Sequence, residues 1–265
     1  MREATQQDIP AILIYLKRHV QSCLYMYIDI GKYGLDNPNL RVWLDEDNRG
    51  IKLVVMKYHS SISVYTDDKE WDADAVAQLI QAEQVGSVTA EKSIIERLHP
   101  LCGAQYAVTY GAVFRFKQIR SFELEERIEP ASEADTPEIA RLITQDEEIG
   151  SYYEVDDLAE QLAERMRTKM GRSFVIRDNG EIIAHIASYA EYDGLATTGG
   201  LIVKPECRNG LYGGALESHL LNTLLKENFR VYTFVTERLR KRLLSAWGNE
   251  CVGEYGKMTH VTEGA

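Results

Sequence analysis

The densest run of chemistry-bearing residues is Leu201-Ile202-Val203-Lys204-Pro205-Glu206-Cys207-Arg208-Asn209-Gly210-Leu211-Tyr212-Gly213-Gly214-Ala215-Leu216. An apolar strand stops at a proline, which cannot continue a β ladder. A glycine-bearing loop follows, and then a helix marked by Leu216, Leu220 and Leu224 at i+4 spacing. First-turn amides lack intrahelical partners and have the helix dipole behind them, so an anion resting there meets ready donors. Gly210, Gly213 and Gly214 remove the β-carbons that would block close approach, and Arg208 adds a planar fork of charged donors. Glycines alone also suit a plain turn. Strand, proline, arginine and glycines in this order, ahead of so regular a helix, favour a phosphate cradle.

The elements around this loop restart a pattern. A charged stretch ending in Pro130 separates them from what precedes, so the expected domains are 1–125 and 126–265. Asp135-Thr136-Pro137-Glu138 opens a helix, and a second runs from about Val155 to Lys169. Strands follow at Ser173–Arg177, Ile182–Tyr189 and Ala196–Val203, the first two joined by an Asn179-Gly180 turn. The helix from Gly213, a strand at Arg230–Thr236, a helix near Glu237–Trp247 and a strand near Gly253–Met258 complete the expected unit. Gly199-Gly200 suits a bulge in the strand before the loop. The first half reads as an amphipathic helix from Ile9 to about Ile30, a meander at Leu40–Leu44, Ile51–Lys57 and Ser61–Tyr65, then helix, strand, helix and strand. The two halves thus share a rough element order without demonstrable residue identity.

The 201–216 segment resembles the GNAT superfamily of N-acetyltransferases. Its hallmark is a strand, Val-x-Pro-x-x-Arg, and an Arg-x-x-Gly-x-Gly/Ala loop opening a helix. Val203, Pro205, Arg208 and Gly213 match, while Leu211 stands where the first loop glycine is expected, with Gly210 one residue earlier. The resemblance covers about Pro130–Met258. It implies an α+β (α/β) fold with a mixed, mostly antiparallel sheet flanked by helices. It also implies acetyl-CoA, with pantetheine pairing along Leu201, Ile202 and Val203 and the pyrophosphate held by Arg208 and by Asn209, Gly210, Leu211, Tyr212, Gly213 and Gly214. No metal is implied. The first 120 residues lack such a loop; at the matching place stands Val85-Gly86-Ser87-Val88-Thr89-Ala90-Glu91-Lys92. They read as a degenerate copy, in a tandem architecture similar to glycine N-acyltransferase-like proteins, or as an unrelated α+β domain.

Acetyl transfer needs a neutral amine. An ammonium of pKa ~10 costs about 4 kcal/mol to deprotonate at pH 7, at ~1.36 kcal/mol per unit, and a positioned base contributes ~10²–10⁴-fold. The family's tyrosine acid on the last helix would fall at Leu244, and Asn249 replaces the phenylalanine that follows the family's glycine. Tyr255 is one substitute, against the alternative of an aromatic packed on a sheet. Glu191, before the bulged strand, is a candidate base or a residue of a solvated turn. Tyr152 and Tyr153 lie where the family's acceptor lid usually runs, and either recognise a polar acceptor or anchor the loop. His185, between apolar neighbours, reads as a hydrogen-bonded core histidine. Cys207 beside Arg208 is no expected nucleophile, because direct attack on the thioester is the family's route.

Bulk properties narrow the classes. A charge of −11 over 265 residues argues against nucleic acid as a partner. No run approaches the ~18 apolar residues of a membrane span, and the acidic first residues lack a secretory apolar region. Four scattered cysteines and six dispersed histidines fit reduced thiols, a cytoplasmic setting and no metal centre. The resulting expectation is an N-acetyltransferase acting on a small-molecule primary amine, as monomer or homodimer. The alternative is a non-catalytic acyl-CoA-binding sensor.

Overall fold

A computed structural model describes residues 1–117, 124, 127–146, 150, 153–208 and 211–261. The chain divides into two compact units. The first comprises Met1–Val113, Val235–Lys241 and Cys251–Ala265; the second comprises Phe114–Phe234 and Arg242–Glu250.

In the first unit, α1 (Ile9–Lys17) and α2 (Leu24–Tyr33) replace the single helix expected from Ile9 to Ile30. His19 and Cys23 leave helical geometry, with φ of −136° and −143°, and this break lets both helices bury apolar faces. Strands β1 (Arg2–Glu3), β2 (Leu40–Asp47), β3 (Gly50–Tyr58) and β4 (Ser61–Thr66) form an antiparallel meander. Helix α3 (Ala73–Glu83) crosses over to β5 (Ser87–Glu91), which pairs parallel with β4. Then come α4 (Lys92–Cys102) and β6 (Tyr106–Arg115). One face of this sheet buries Trp71, Val76, Ile80, Ile95 and Leu98 beneath α3 and α4.

The second unit runs β7 (Ile128–Pro130), α5 (Thr136–Thr144), α6 (Val155–Arg167), β8 (Ser173–Asp178), β9 (Glu181–Tyr192) and β10 (Leu195–Val203). Helix α7 (Tyr212–Lys226) then crosses to β11 (Arg230–Val235); α8 (Arg238–Ala246) and β12 (Glu250–His260) come next along the chain and are divided between the two units. Asn179 and Gly180, both at positive φ, make the β8–β9 hairpin as expected. Strands β7 to β10 are antiparallel and β10–β11 parallel, giving the mixed sheet expected. Helices α5 and α6 cover one face through Ile139, Ile143, Leu158 and Leu162, while α7 buries Leu216, Leu220 and Leu224.

The last strand departs from expectation. β12 pairs antiparallel with β5, Tyr255 opposite Glu91 and Met258 opposite Val88, so nearly all of it belongs to the first unit. Met258 is fully buried in that unit's core. A β-carbon on Gly256 would lie 2.8 Å from Ile95 of α4, so this glycine permits the close approach. After pairing with β4, β5 has a second edge to satisfy, and β12 supplies its hydrogen bonds.

Candidate functional site

The second unit's site forms where β10 parts from its parallel neighbour. Residues 195–198 pair with 230–233, and pairing ends at Thr198 opposite Thr233, although β10 continues to Val203. The end of the pairing is tied by side chains. Thr233 Oγ1 donates to the Thr198 carbonyl at 3.2 Å and Thr198 Oγ1 to the Tyr232 carbonyl at 3.4 Å. Leu201, Ile202 and Val203 therefore lie beyond the last β11 partner. Ile202 remains core-facing, while Leu201 and Val203 are half-buried.

The register against β9 shows the cause. From Gly199 to Ile202 β10 advances three residues while β9 advances two, Ala187 to His185, so the expected bulge is at the glycine pair. Gly200 has φ +59°, and a β-carbon there would lie 2.1 Å from the Tyr189 hydroxyl. A compensating irregularity sits on β9: Thr197 faces Ala190 and Thr198 faces Ser188, leaving Tyr189 as the extra residue. The Tyr189 carbonyl accepts from Arg165 Nη1.

After Val203 the chain turns at Pro205 toward Arg208. Arg208 Nε donates to the Val203 carbonyl at 3.1 Å and Nη2 to Asp146 Oδ2 at 3.1 Å, with the guanidinium half exposed. Asp146 lies 62 residues from Arg208 in sequence, and no motif marks it. Leu211 takes φ +41°, the left-handed region, which accounts for glycine at this place in the family pattern. Helix α7 starts at Tyr212 with no side-chain cap and no acid in its first turn. Tyr212 is anchored: its hydroxyl accepts from Arg127 Nη1 at 3.0 Å, and the guanidinium lies 5.2 Å from its ring centroid. Gly213 faces the strand end; a β-carbon there would meet Val203 Cγ2 at 3.6 Å and Leu201 Cδ1 at 3.8 Å. Gly214 lies in the same first turn. Asn209, Gly210 and Tyr152 lie outside the described residues.

The other candidates are placed as follows. Glu191 belongs to β9, not to a solvated turn, and is 8% exposed. Its carboxylate accepts from Arg172 Nε at 2.9 Å and Nη2 at 2.6 Å, and from Ser188 Oγ. Arg172 also grips Glu227 at 2.9 and 2.8 Å. Tyr255, on β12, is in the first unit, whereas Glu191 is in the second. Its ring fills the space that a β-carbon on Gly111 would need, and burial pushes its hydroxyl pKa up. Tyr153 packs against the α5–α6 core, its amide donating to the Gly150 carbonyl at 3.0 Å. Leu244, where the family's tyrosine would stand, is fully buried. Asn249 caps a neighbouring segment, its Oδ1 accepting from the Lys117 amide at 3.1 Å. Among the described residues no group of three or more His, Cys, Asp or Glu side chains is gathered for a metal, and no helix is long and apolar enough to cross a membrane.

The first unit has its own strand–helix–strand crossover, but not at Val85–Lys92, which is mostly strand β5. Its counterpart is Thr66–Asp72, between β4 and α3. There Asp72 caps the helix, its carboxylate accepting from the Ala75 amide at 2.9 Å. Arg97 closes the loop by donating to the Lys69 and Trp71 carbonyls at 3.0 and 2.8 Å. Strand β4 pairs with β3 without any shift in register.

A bulged strand parting from its parallel neighbour, then an arginine loop and an uncapped helix, is the frame of an acyl-CoA-dependent acetyltransferase. Residues 136–244 match the sequence model of the acetyltransferase (GNAT) family, so the chain carries a GNAT acetyltransferase domain and is an enzyme of the acyltransferase class. No curated protein matches it. Solved structures share the fold over the whole chain. A Drosophila protein aligns with TM-score 0.69 and 14% identity over 98% of both chains. A GCN5-related N-acetyltransferase from Sphaerobacter thermophilus gives 0.61 and 17%, over 100% of this chain and 96% of that one. A tandem GNAT protein from the clavulanic acid biosynthesis pathway gives 0.61 and 12%, over 100% and 99%. The fold is therefore the expected GNAT class in a tandem architecture.

Proposed function

We propose that this chain moves an acetyl group from acetyl-CoA to a primary amine of a small molecule, by direct attack, in a cytoplasmic setting as a monomer or homodimer. The observation that carries the reading is the parting of β10 from β11 after Thr198, immediately before the Arg208 loop. The residues fit the donor. The strand segment 201–203 has no β11 partner to compete with pantetheine amides. The Val203 carbonyl already accepts from Arg208, but a carbonyl has a second lone pair. The absent β-carbon of Gly213 leaves space between the strand end and the first turn of α7, whose amides meet no capping side chain among the described residues.

When bound, the donor would supply an activated thioester: the neutral amine nitrogen would bond to the acetyl carbon as the carbon–sulfur bond breaks, the thiolate leaving and taking up a proton as the amine loses one. Leu201 and Val203 orient the donor, and Arg208 with the first turn of α7 neutralises its pyrophosphate. Asn209, Gly210, Leu211 and Gly214 belong to the same proposed cradle. Tyr152 and Tyr153 are proposed to border the acceptor, and Glu191 is proposed as the base. For Glu191 that role requires release from Arg172.

A sensor that binds donor without turnover is the second reading, and a specific observation favours it. Leu244 is apolar and buried where an acid is expected, and Glu191 is held by three hydrogen bonds. Steady thiol release from acetyl-CoA across a broad panel of small amines supports the enzyme. Tight donor binding with no release across that panel favours the sensor, and no donor binding sinks both.

A further inference from the structure

The bulge in β10 needs a force that keeps Gly200 out of the ladder, and the side chain placed to supply it is His185. This residue lies on β9 directly opposite Ile202, the first regular pair after the bulge, and is completely buried. Its Nδ1 lies 2.9 Å from the Gly200 carbonyl oxygen. A carbonyl only accepts, so Nδ1 carries the proton and Nε2 carries a lone pair. That Nε2 is buried and has no hydrogen-bond partner among the described residues. Burial pushes the imidazole pKa down to about 4, so the ring stays neutral near pH 7 and is a poor acceptor for an ammonium proton. Its fixed tautomer suits a donor to a backbone carbonyl, and no second interaction competes for the ring.

The surroundings leave Gly200 little alternative. The Tyr189 side chain lies against both glycines: a β-carbon on Gly199 would fall 2.8 Å from its ring, and one on Gly200 2.1 Å from its hydroxyl. Tyr189 is itself the extra residue of β9, and Arg165 fixes its carbonyl. A β-carbon on Gly200 would also lie 3.3 Å from His185 Cε1, so the imidazole and the tyrosine confine the same backbone position.

We propose that His185 is a positioning residue for the donor: its Nδ1–H holds the Gly200 carbonyl, locking the bulge that presents Leu201–Val203 to pantetheine. This rests on the donor reading above, and it assigns no contact between His185 and the substrate.

The test compares two probes on the intact chain by calorimetry: acetyl-CoA, which engages strand and loop, and ADP, which carries the pyrophosphate without pantetheine. His185→Leu is expected to weaken acetyl-CoA roughly five- to tenfold, the loss of one buried hydrogen bond, and to leave ADP affinity unchanged. His185→Asn, whose amide can donate from nearly the same place, should stay within about twofold of the natural chain, since it keeps that bond. Unchanged acetyl-CoA affinity in His185→Leu overturns the proposal, as does an equal loss of ADP, which marks a general loss of structure. Nitrogen spectra of the natural chain give a reading independent of the variants' folding. A protonated Nδ1 supports the proposal, and a proton on Nε2 overturns it. If the natural chain binds neither probe, the donor reading itself fails and this inference with it.

Discussion

The two units solve the same crossover in opposite ways. Each passes from a strand through a helix to a parallel neighbour, at Thr66–Asp72 in the first and Lys204–Leu211 in the second. In the first, every local demand is met internally. Asp72 caps α3, Asp74 sits in its first turn, Arg97 closes the loop, and β4 keeps regular register with β3. A helix start with a carboxylate on its amides repels a pyrophosphate. In the second, the helix start is uncapped, the strand is bulged, and Leu211 sits in a left-handed conformation. The features that weaken this crossover as structure are those that open it to an anion.

Acid should separate the units most strongly. Among the described residues no histidine of the first unit is buried, whereas His185 is. Its folded pKa of about 4 lies below the ordinary ~6.5. The unfolded chain thus binds more protons between these values, and stability is fully present above ~6.5 and falls toward pH 4. On the order of 3 kcal/mol should be lost across that window. Denaturant titrations of the natural chain and His185→Asn should show a much smaller loss in the variant; parallel curves would refute the assignment.

Arg208→Glu comes next. Replacing a charged fork by a carboxylate should weaken acetyl-CoA about a hundredfold, roughly 3 kcal/mol. Thermal stability should change little, because the Arg208 side chain is half exposed. Asp72→Ala should do the converse, removing an N-cap for about 1 kcal/mol of stability while leaving donor affinity alone. Chemical denaturation and calorimetry on the same variant check both halves. The smallest effect is Leu211→Gly, which relieves a positive φ and should stabilise by a few tenths of a kcal/mol. A lower unfolding midpoint would show that Leu211 contributes more by contact than it loses by strain.

The second crossover was legible because its signals are local. Proline ended β10, glycines marked the bulge and turn, leucines at i+4 marked α7, and Asn179-Gly180 marked a hairpin. The first crossover carries no glycine or arginine pattern, so the nearest local signal is Gly86, beside β5, which marks the wrong place. Distant pairings left no local trace. β12 joins β5, and Arg172 joins Glu191 to Glu227, through geometry that no neighbouring residue announces. Tyr189 bulges β9 without a glycine, so that irregularity was equally silent. Glu191 is buried because β9 runs on to Tyr192, beyond its apolar stretch.

The donor reading places acetyl-CoA at the second crossover alone. Calorimetric titration of acetyl-CoA into the intact chain tests it directly, with Arg208→Glu and Asp72→Ala alongside. One molecule should bind per chain, about a hundredfold more weakly in Arg208→Glu and with unchanged affinity in Asp72→Ala. Two molecules per chain, or full affinity in Arg208→Glu, would contradict it.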